Sequence, residues 1–280
     1  MIPPPFAYVR ASSVDDALGL AAEHGEDAKY LAGGHSLLPL MKLRMAAPPV
    51  LIDLGRIAEL SYIRDEGAYV AIGALTRHHD VATSSVLAAG IPLLAHTAGE
   101  VGDPQVRHRG TIGGSVAHGD PASDLPATLL ALDATFVIRG EQGSRSVPVT
   151  EFFKGFFETA IEPGELLTEI QVPRPAVPAA WSFQKFTRRA IDWAIVGVAA
   201  QGTSVALISM GMTPLRAAAV ESALASGASI ADAAALAAEG TSAGSDIHGS
   251  KAYREHLARV LVRRALEESG SRGRTCFDYD

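Results

Sequence analysis

The chain has 280 residues, 48% hydrophobic and 20% charged, which suits a folded protein of about two domains and excludes a disordered one unable to offset its ordering entropy. Its 24 basic and 31 acidic side chains give a formal charge of −7, a poor match for a polyanionic partner such as nucleic acid. No apolar run reaches the about 18 residues of a membrane span, and Met1 to Phe6, with Pro3-Pro4-Pro5, lacks the basic and apolar regions of a secretory signal. In chain order, Ala7–Arg10 reads as a strand. Ser13-Val14-Asp15-Asp16 has capping-box spacing, and Val14, Ala17, Leu18 and Ala21 continue a helix to His24-Gly25. Strands follow at residues 29–32 and Val50–Asp53, completing a β-α-β start. Residues 61–64 and 68–72 flank Asp65-Glu66-Gly67 as a hairpin. Helices are expected at 76–89 and 91–101, a loop-rich stretch at 102–123, and strands at 134–139, 144–149 and 166–172. Pro173-Arg174-Pro175, with Val177-Pro178, marks a domain boundary. Beyond it, Trp181–Phe186 and 205–210 read as strands, and 216–225, 230–238 and 251–268 as alanine-rich helices.

Two segments stand out chemically. Ala32-Gly33-Gly34-His35-Ser36 directly follows a predicted strand, and Thr111-Ile112-Gly113-Gly114-Ser115 lies in the loop-rich stretch. Paired glycines permit positive backbone angles and close approach to the main chain. The serine adds a hydroxyl donor, and successive amides in such loops bind anionic oxygens. Two of these loops would grip a dinucleotide's diphosphate from both sides, although each taken alone also reads as a plain turn. Neither is a G-x-G-x-x-G or G-x-x-x-x-G-K-[ST] motif. His35, His78, His79, His108 and His118 lack metal-ligand spacing, so no metal site is expected. No G-x-S-x-G elbow marks a nucleophilic serine, and no catalytic residue is assigned. Arg107-His108-Arg109 reads as solvated surface, a subunit contact or a contact to a cofactor phosphate. The single cysteine, Cys276, forms no intrachain disulfide, fits a reducing cytoplasm, and cannot supply the four thiolates an iron–sulfur cluster usually takes.

The order of these segments, with Leu37-Leu38-Pro39 after the first, Pro121 and Asp124 after the second, and Phe183 to Val196 further on, resembles the FAD-binding subunits of the molybdenum hydroxylases. That family includes aerobic carbon monoxide, xanthine and nicotine dehydrogenases. The likeness runs nearly end to end and is nearest to the medium chain of the carbon monoxide branch. Ser245-Asp246-Ile247-His248-Gly249-Ser250, ahead of Tyr253 and Arg254, resembles that group's C-terminal domain. The resemblance implies an α+β fold. A two-part, PCMH-type α/β FAD-binding domain would span residues 1–175, with subdomains at about 1–56 and 57–175. A domain of small antiparallel sheet plus helices would span 176–280.

It also implies site residues for noncovalently bound FAD. Ala32, Gly33, Gly34, His35, Ser36 and Leu37, with Thr111, Ile112, Gly113, Gly114 and Ser115, would hold the pyrophosphate and ribityl chain. Ser115 stands where relatives often carry Asn or Asp. Asp124 matches an aspartate that contacts the dinucleotide, a reading preferred to the alternative of a helix N-terminal cap before Leu125. Leu167 matches an apolar residue near the cofactor and reads equally as core. Lys185 matches a lysine beside the isoalloxazine, with Gln184 as the alternative if the spacing slips by one. Trp193 matches an aromatic by the flavin ring, or is a buried core indole. The implied function is electron transfer from [2Fe–2S] clusters in a small partner subunit, alongside a large molybdopterin subunit, to an external acceptor. The assembly would be a cytoplasmic dimer of heterotrimers. A xanthine, nicotine or aldehyde dehydrogenase, a flavin-free scaffold and a standalone flavin oxidase remain the alternatives.

Overall fold

The computed structural model describes residues 2–175, 177 and 179–275; Met1, Pro178 and Cys276, which entered the sequence reading, lie outside the described residues. The chain opens with β1 (Ala7–Arg10), α1 (Val14–His24), β2 (Ala28–Leu31), α2 (Leu37–Lys42) and β3 (Val50–Asp53). The strands form a parallel sheet in the order β1-β3-β2. The Ser13 side chain accepts from the Asp16 amide at 3.1 Å and starts α1 as the capping spacing predicts. Val14, Ala17 and Ala21 then pack on Ile52, Leu54 and Leu60.

The second unit comprises β4 (Ile63–Asp65), β5 (Tyr69–Gly73), α3 (His78–Thr83), α4 (Ser85–Gly90), α5 (Pro92–Gly99), α6 (Pro104–Arg107), α7 (Ile112–His118) and α8 (Asp124–Ala131). It continues with β6 (Thr135–Gly140), β7 (Gly143–Pro148), α9 (Val149–Phe152), β8 (Phe153–Gly155), β9 (Glu158–Thr159) and β10 (Leu166–Pro173). Five of these strands form an antiparallel sheet, β4-β5-β10-β6-β7. The hairpin at Asp65-Glu66-Gly67 is present, with Gly67 at φ +80°.

The third unit is an antiparallel meander of β11 (Trp181–Phe186), β12 (Val196–Gln201), β13 (Ser204–Ile208) and β14 (Leu215–Arg216), followed by α10 (Ala218–Ala225), α11 (Ile230–Ala235) and α12 (Lys251–Thr275). Strand alternation divides its residues between two cores. Val196, Val198, Val205 and Leu207 face α10, α11 and α12, whereas Phe183, Ala199, Ala206 and Ile208 join the core of the second unit. Helix α8, all eight of whose residues are buried, lies between the C-terminal sheet and helices α5, α7 and α9. A helix that is apolar nearly all round belongs in such an interior position. The fold class is α+β, as expected.

The structure departs from the sequence expectations in several places. The single helix expected at 76–89 is two, because Ser84 leaves helical geometry and its hydroxyl caps α4 through the Leu87 amide. The loop-rich 102–123 stretch contains α6 and α7, so the second glycine motif is helical. Strand β12 was not foreseen: Gly197, Ala199 and Ala200 are small, and the strand is buried on both faces, which erases the alternation used to detect strands. Helix α2 was also missed, and Arg216, expected to open a helix, belongs instead to β14.

Candidate functional site

The two glycine motifs meet. A Cβ added to Gly33 would overlap the Arg109 carbonyl oxygen and come within 2.8 Å of Gly110 Cα, so only glycine lets the first motif lie against the entry to the second. Gly114 also lies near the first motif, where a Cβ would make ordinary contact with Ala32 Cβ at 3.9 Å, but its close neighbour is Thr111 Oγ1, 2.7 Å from that position. Of the four motif glycines only Gly34 has a positive φ, +77°. The other three serve close approach, so of the two uses open to paired glycines the positive φ is taken once and tight packing three times.

The motifs offer different chemistry. In the second, Thr111 caps α7 through the Gly114 amide (3.1 Å), while the amides of Ile112, Gly113 and Ser115 donate to Thr76, Ala74 and Thr111 carbonyls at 3.0, 2.9 and 3.1 Å. Those donors are committed, so this motif does not present the open row of amides that the sequence suggested. The part-buried Ser115 hydroxyl is a further polar group of this motif. In the first motif, among the described residues, the amides of Gly33, Gly34, His35 and Ser36 have no acceptor. Successive free amides at a Gly-Gly turn are donors of the kind that an anion can take up. Leu37 starts α2 immediately after them. The surroundings are cationic: burial, Arg109 and Arg77 lower the pKa of His35, with Asp103 opposing, and the Arg77 guanidinium donates to the Arg109 carbonyl.

Asp124 is 6% exposed at the first turn of α8, and its Oδ2 accepts from Lys185 Nζ at 2.7 Å. Lys185, on β11, also donates to the Glu100 carbonyl at 3.2 Å. Burial raises the Asp124 pKa to about 6 against the opposing pull of Lys185. Asp124 Oδ1 is buried with no hydrogen-bond partner. Asp124 does not cap its helix through its own side chain; Ser123 holds the cap position. Gln184 points to the other face of β11, where its amide donates to Glu268 at 2.7 Å. Strand alternation therefore gives Lys185, not Gln184, to the Asp124 side. Trp193 is 58% exposed in the loop before β12, so it is not a core indole. Leu167 is buried in the main core beside a bulge of β10. Its neighbour Thr168 accepts from the Ala74 amide through its carbonyl, and Ala74 in turn holds Gly113. No trio of metal-ligating side chains is grouped among the described residues.

Residues 4–175 match the family described as FAD binding domain in molybdopterin dehydrogenase, and residues 181–269 match the CO dehydrogenase flavoprotein C-terminal domain. The chain belongs to this family of flavoprotein subunits. It is 43% identical to the carbon monoxide dehydrogenase medium chain of Hydrogenophaga pseudoflava over 97% of this chain and 99% of that one. It is 40% identical to subunit alpha of the 6-hydroxypseudooxynicotine dehydrogenase complex of Paenarthrobacter nicotinovorans, over 98% and 97%. A solved structure of carbon monoxide dehydrogenase from Hydrogenophaga pseudoflava superimposes with a TM-score of 0.93 at 44% identity, covering 97% of this chain and 99% of its counterpart. The cofactor of the flavoprotein is FAD, and the chain is the FAD subunit type of a multi-subunit oxidoreductase.

The residues present fit that cofactor. A row of unpaired amides suits a diphosphate, and an orphaned buried carboxylate oxygen suits a ligand hydroxyl or N–H. Sequence reasoning missed Gly110 and the contributions of Arg77 and His78. Gly110 was legible as a third glycine just ahead of the second motif. The sequence offers His78 only as a candidate metal ligand, and no local pattern links it to residue 115.

Proposed function

We propose that the chain is the electron-transfer subunit of a cytoplasmic aerobic carbon monoxide dehydrogenase. It would work with a small [2Fe–2S] subunit and a large molybdopterin subunit in a dimer of heterotrimers. The observation that carries this reading is the convergence of the two glycine motifs at Gly33 and Gly110, with the amides of Gly33 to Ser36 open. Bound there, FAD supplies the redox chemistry, accepting electrons and passing them to an external acceptor.

The protein's part is to hold and tune. The amides of Gly33, Gly34, His35 and Ser36, flanked by Ala32 and Leu37, take the diphosphate. Thr111 to Ser115 close the cleft from the other side, with the Ser115 hydroxyl as donor. Asp124 Oδ1 accepts from the flavin's hydroxyl or N–H groups, Lys185 provides positive charge near the ring, Trp193 covers it, and Leu167 backs the cleft from the core. We take the FAD domain as 1–175, subdivided near residue 56, and the C-terminal domain as 176–280. With one cysteine in its sequence, the chain does not supply a cluster's thiolates, so electrons arrive from a partner. The similarity to a carbon monoxide dehydrogenase medium chain supports carbon monoxide as the upstream substrate.

The test is to co-express the chain with the products of adjacent genes, purify the complex, and add carbon monoxide without oxygen. Loss of the flavin's visible absorption is the expected result. A flavin that stays oxidised while the partner's clusters become reduced would overturn the electron-transfer role. Bleaching by an aldehyde or nicotine, but not by carbon monoxide, would overturn the substrate.

A further inference from the structure

A buried histidine lies directly beneath the second motif. His78 opens α3, where its amide donates to the Gly110 carbonyl at 3.0 Å, and the residue is 3% exposed. Gly110 makes room for it: a Cβ there would stand 2.6 Å from His78 Cδ2 and 2.8 Å from Nε2. The ring's Nε2 is 3.3 Å from Ser115 Oγ, while Nδ1 is buried with no partner. We propose that His78 is a positioning residue that donates its Nε2 proton to Ser115 Oγ and so turns the Ser115 hydroxyl outward as a donor to the cofactor's diphosphate. This inference rests on the FAD site proposed above.

The argument is one of hydrogen-bond accounting. Burial, with smaller contributions from His35, Arg77 and Arg107, lowers the ring's pKa to about 4, so near neutrality it carries one proton. On Nδ1 that proton would be a buried donor with no acceptor, an arrangement folded proteins rarely tolerate. Nε2 would then be a bare acceptor that consumes the Ser115 proton. On Nε2 the proton satisfies Ser115 Oγ, and Nδ1 is left as an under-used acceptor, the cheaper defect. Ser115, whose amide is held by the Thr111 carbonyl, then has one free proton and one face open to a ligand. Since the amides of Ile112, Gly113, Gly114 and Ser115 are committed, the hydroxyl is a means by which this end of the motif contacts an anion.

The test uses the full chain, in its complex if it requires partners, stripped of flavin and titrated with FAD or with riboflavin, which has no phosphate. His78→Leu and Ser115→Ala should each weaken FAD binding about 10- to 100-fold, the range for a hydrogen bond to a charged group. The double variant should be no weaker than the poorer single one. His78→Gln, which keeps a donor at the reach of Nε2, should restore most of the affinity. Riboflavin binding should not change. Histidine-selective nitrogen-15 spectra, with His78 assigned by its absence in His78→Gln, should show Nε2 protonated. Additive losses in the double variant, equal losses for riboflavin, or a proton on Nδ1 would each overturn the inference while leaving the FAD site standing. A wild-type complex that takes up no FAD would instead overturn the site itself.

Discussion

Lys185 Nζ sits 2.7 Å from Asp124 Oδ2, joining the first strand of the C-terminal sheet to the first turn of α8 with both side chains less than a tenth exposed. Removing one member of such a pair leaves a charge uncompensated in a poor dielectric. Lys185→Met is expected to cost about 3–5 kcal/mol in urea-induced unfolding. Adding Asp124→Asn to that variant should return a large part of the loss. Equal stability for the single and double variants would show that the pair is not buried as described.

The stability of the chain should respond to acid through two groups with opposite signs. His78 titrates at about 4 in the fold and near its ordinary 6.5 when unfolded, so between those values the unfolded chain binds more protons. Its contribution is present above 6.5 and is lost as pH falls toward 4. Asp124 has its pKa raised to about 6 from an ordinary 3.8, so between those values the native chain binds the extra proton, and its contribution falls as pH rises toward 6. Melting temperatures followed from pH 7 to 4.5 should decline less in His78→Gln than in wild type, and more in Asp124→Asn.

Glycine substitutions separate close approach from flexibility. Gly33→Ala and Gly113→Ala press a methyl into Arg109–Gly110 and Ala74 respectively, and each should cost about 1–3 kcal/mol. Gly33→Ala should also lower the flavin content of purified complex. Gly19, exposed in the middle of α1 with nothing within 4 Å of an added Cβ, is the control, and Gly19→Ala should stabilise by about 0.5–1 kcal/mol. Thermal melts paired with extracted-flavin absorbance read both effects.

Trp193 is solvent-facing, and its proposed place by the flavin ring makes it a reporter. In a Trp181→Phe background, adding FAD to the stripped chain should quench most of the remaining indole emission. Emission unchanged at saturating FAD would remove Trp193 from the binding surface.

What could be seen in the sequence was mainly local. Ser13 announces α1 because a cap and the amide it satisfies are three residues apart, and Gly67 announces its hairpin because the turn is local too. The membership of the two glycine motifs in one family pattern was legible, but their helical and open states were not. Gly113 and Gly114 disfavour a helix on propensity, and α7 forms because Thr111 caps it and Ala74 anchors it, a tertiary outcome. Strand β12 escaped because burial on both faces removes the period-two signal. The contacts of Lys185 with Asp124 and of His78 with Ser115 join residues 61 and 37 positions apart, a separation no periodicity encodes.

Helix α8 borrows its surroundings from both sides of the proline-rich junction, and this bears on how the chain must be handled. A gene truncated after Pro175 would leave one flank of that helix greasy and facing water, along with the carboxylate at its tip. Such a fragment should clump on the ribosome or in the test tube, whatever the integrity of its own strands. Recombinant work is therefore best begun with an uncut reading frame, or with the missing half supplied in trans as a separate polypeptide.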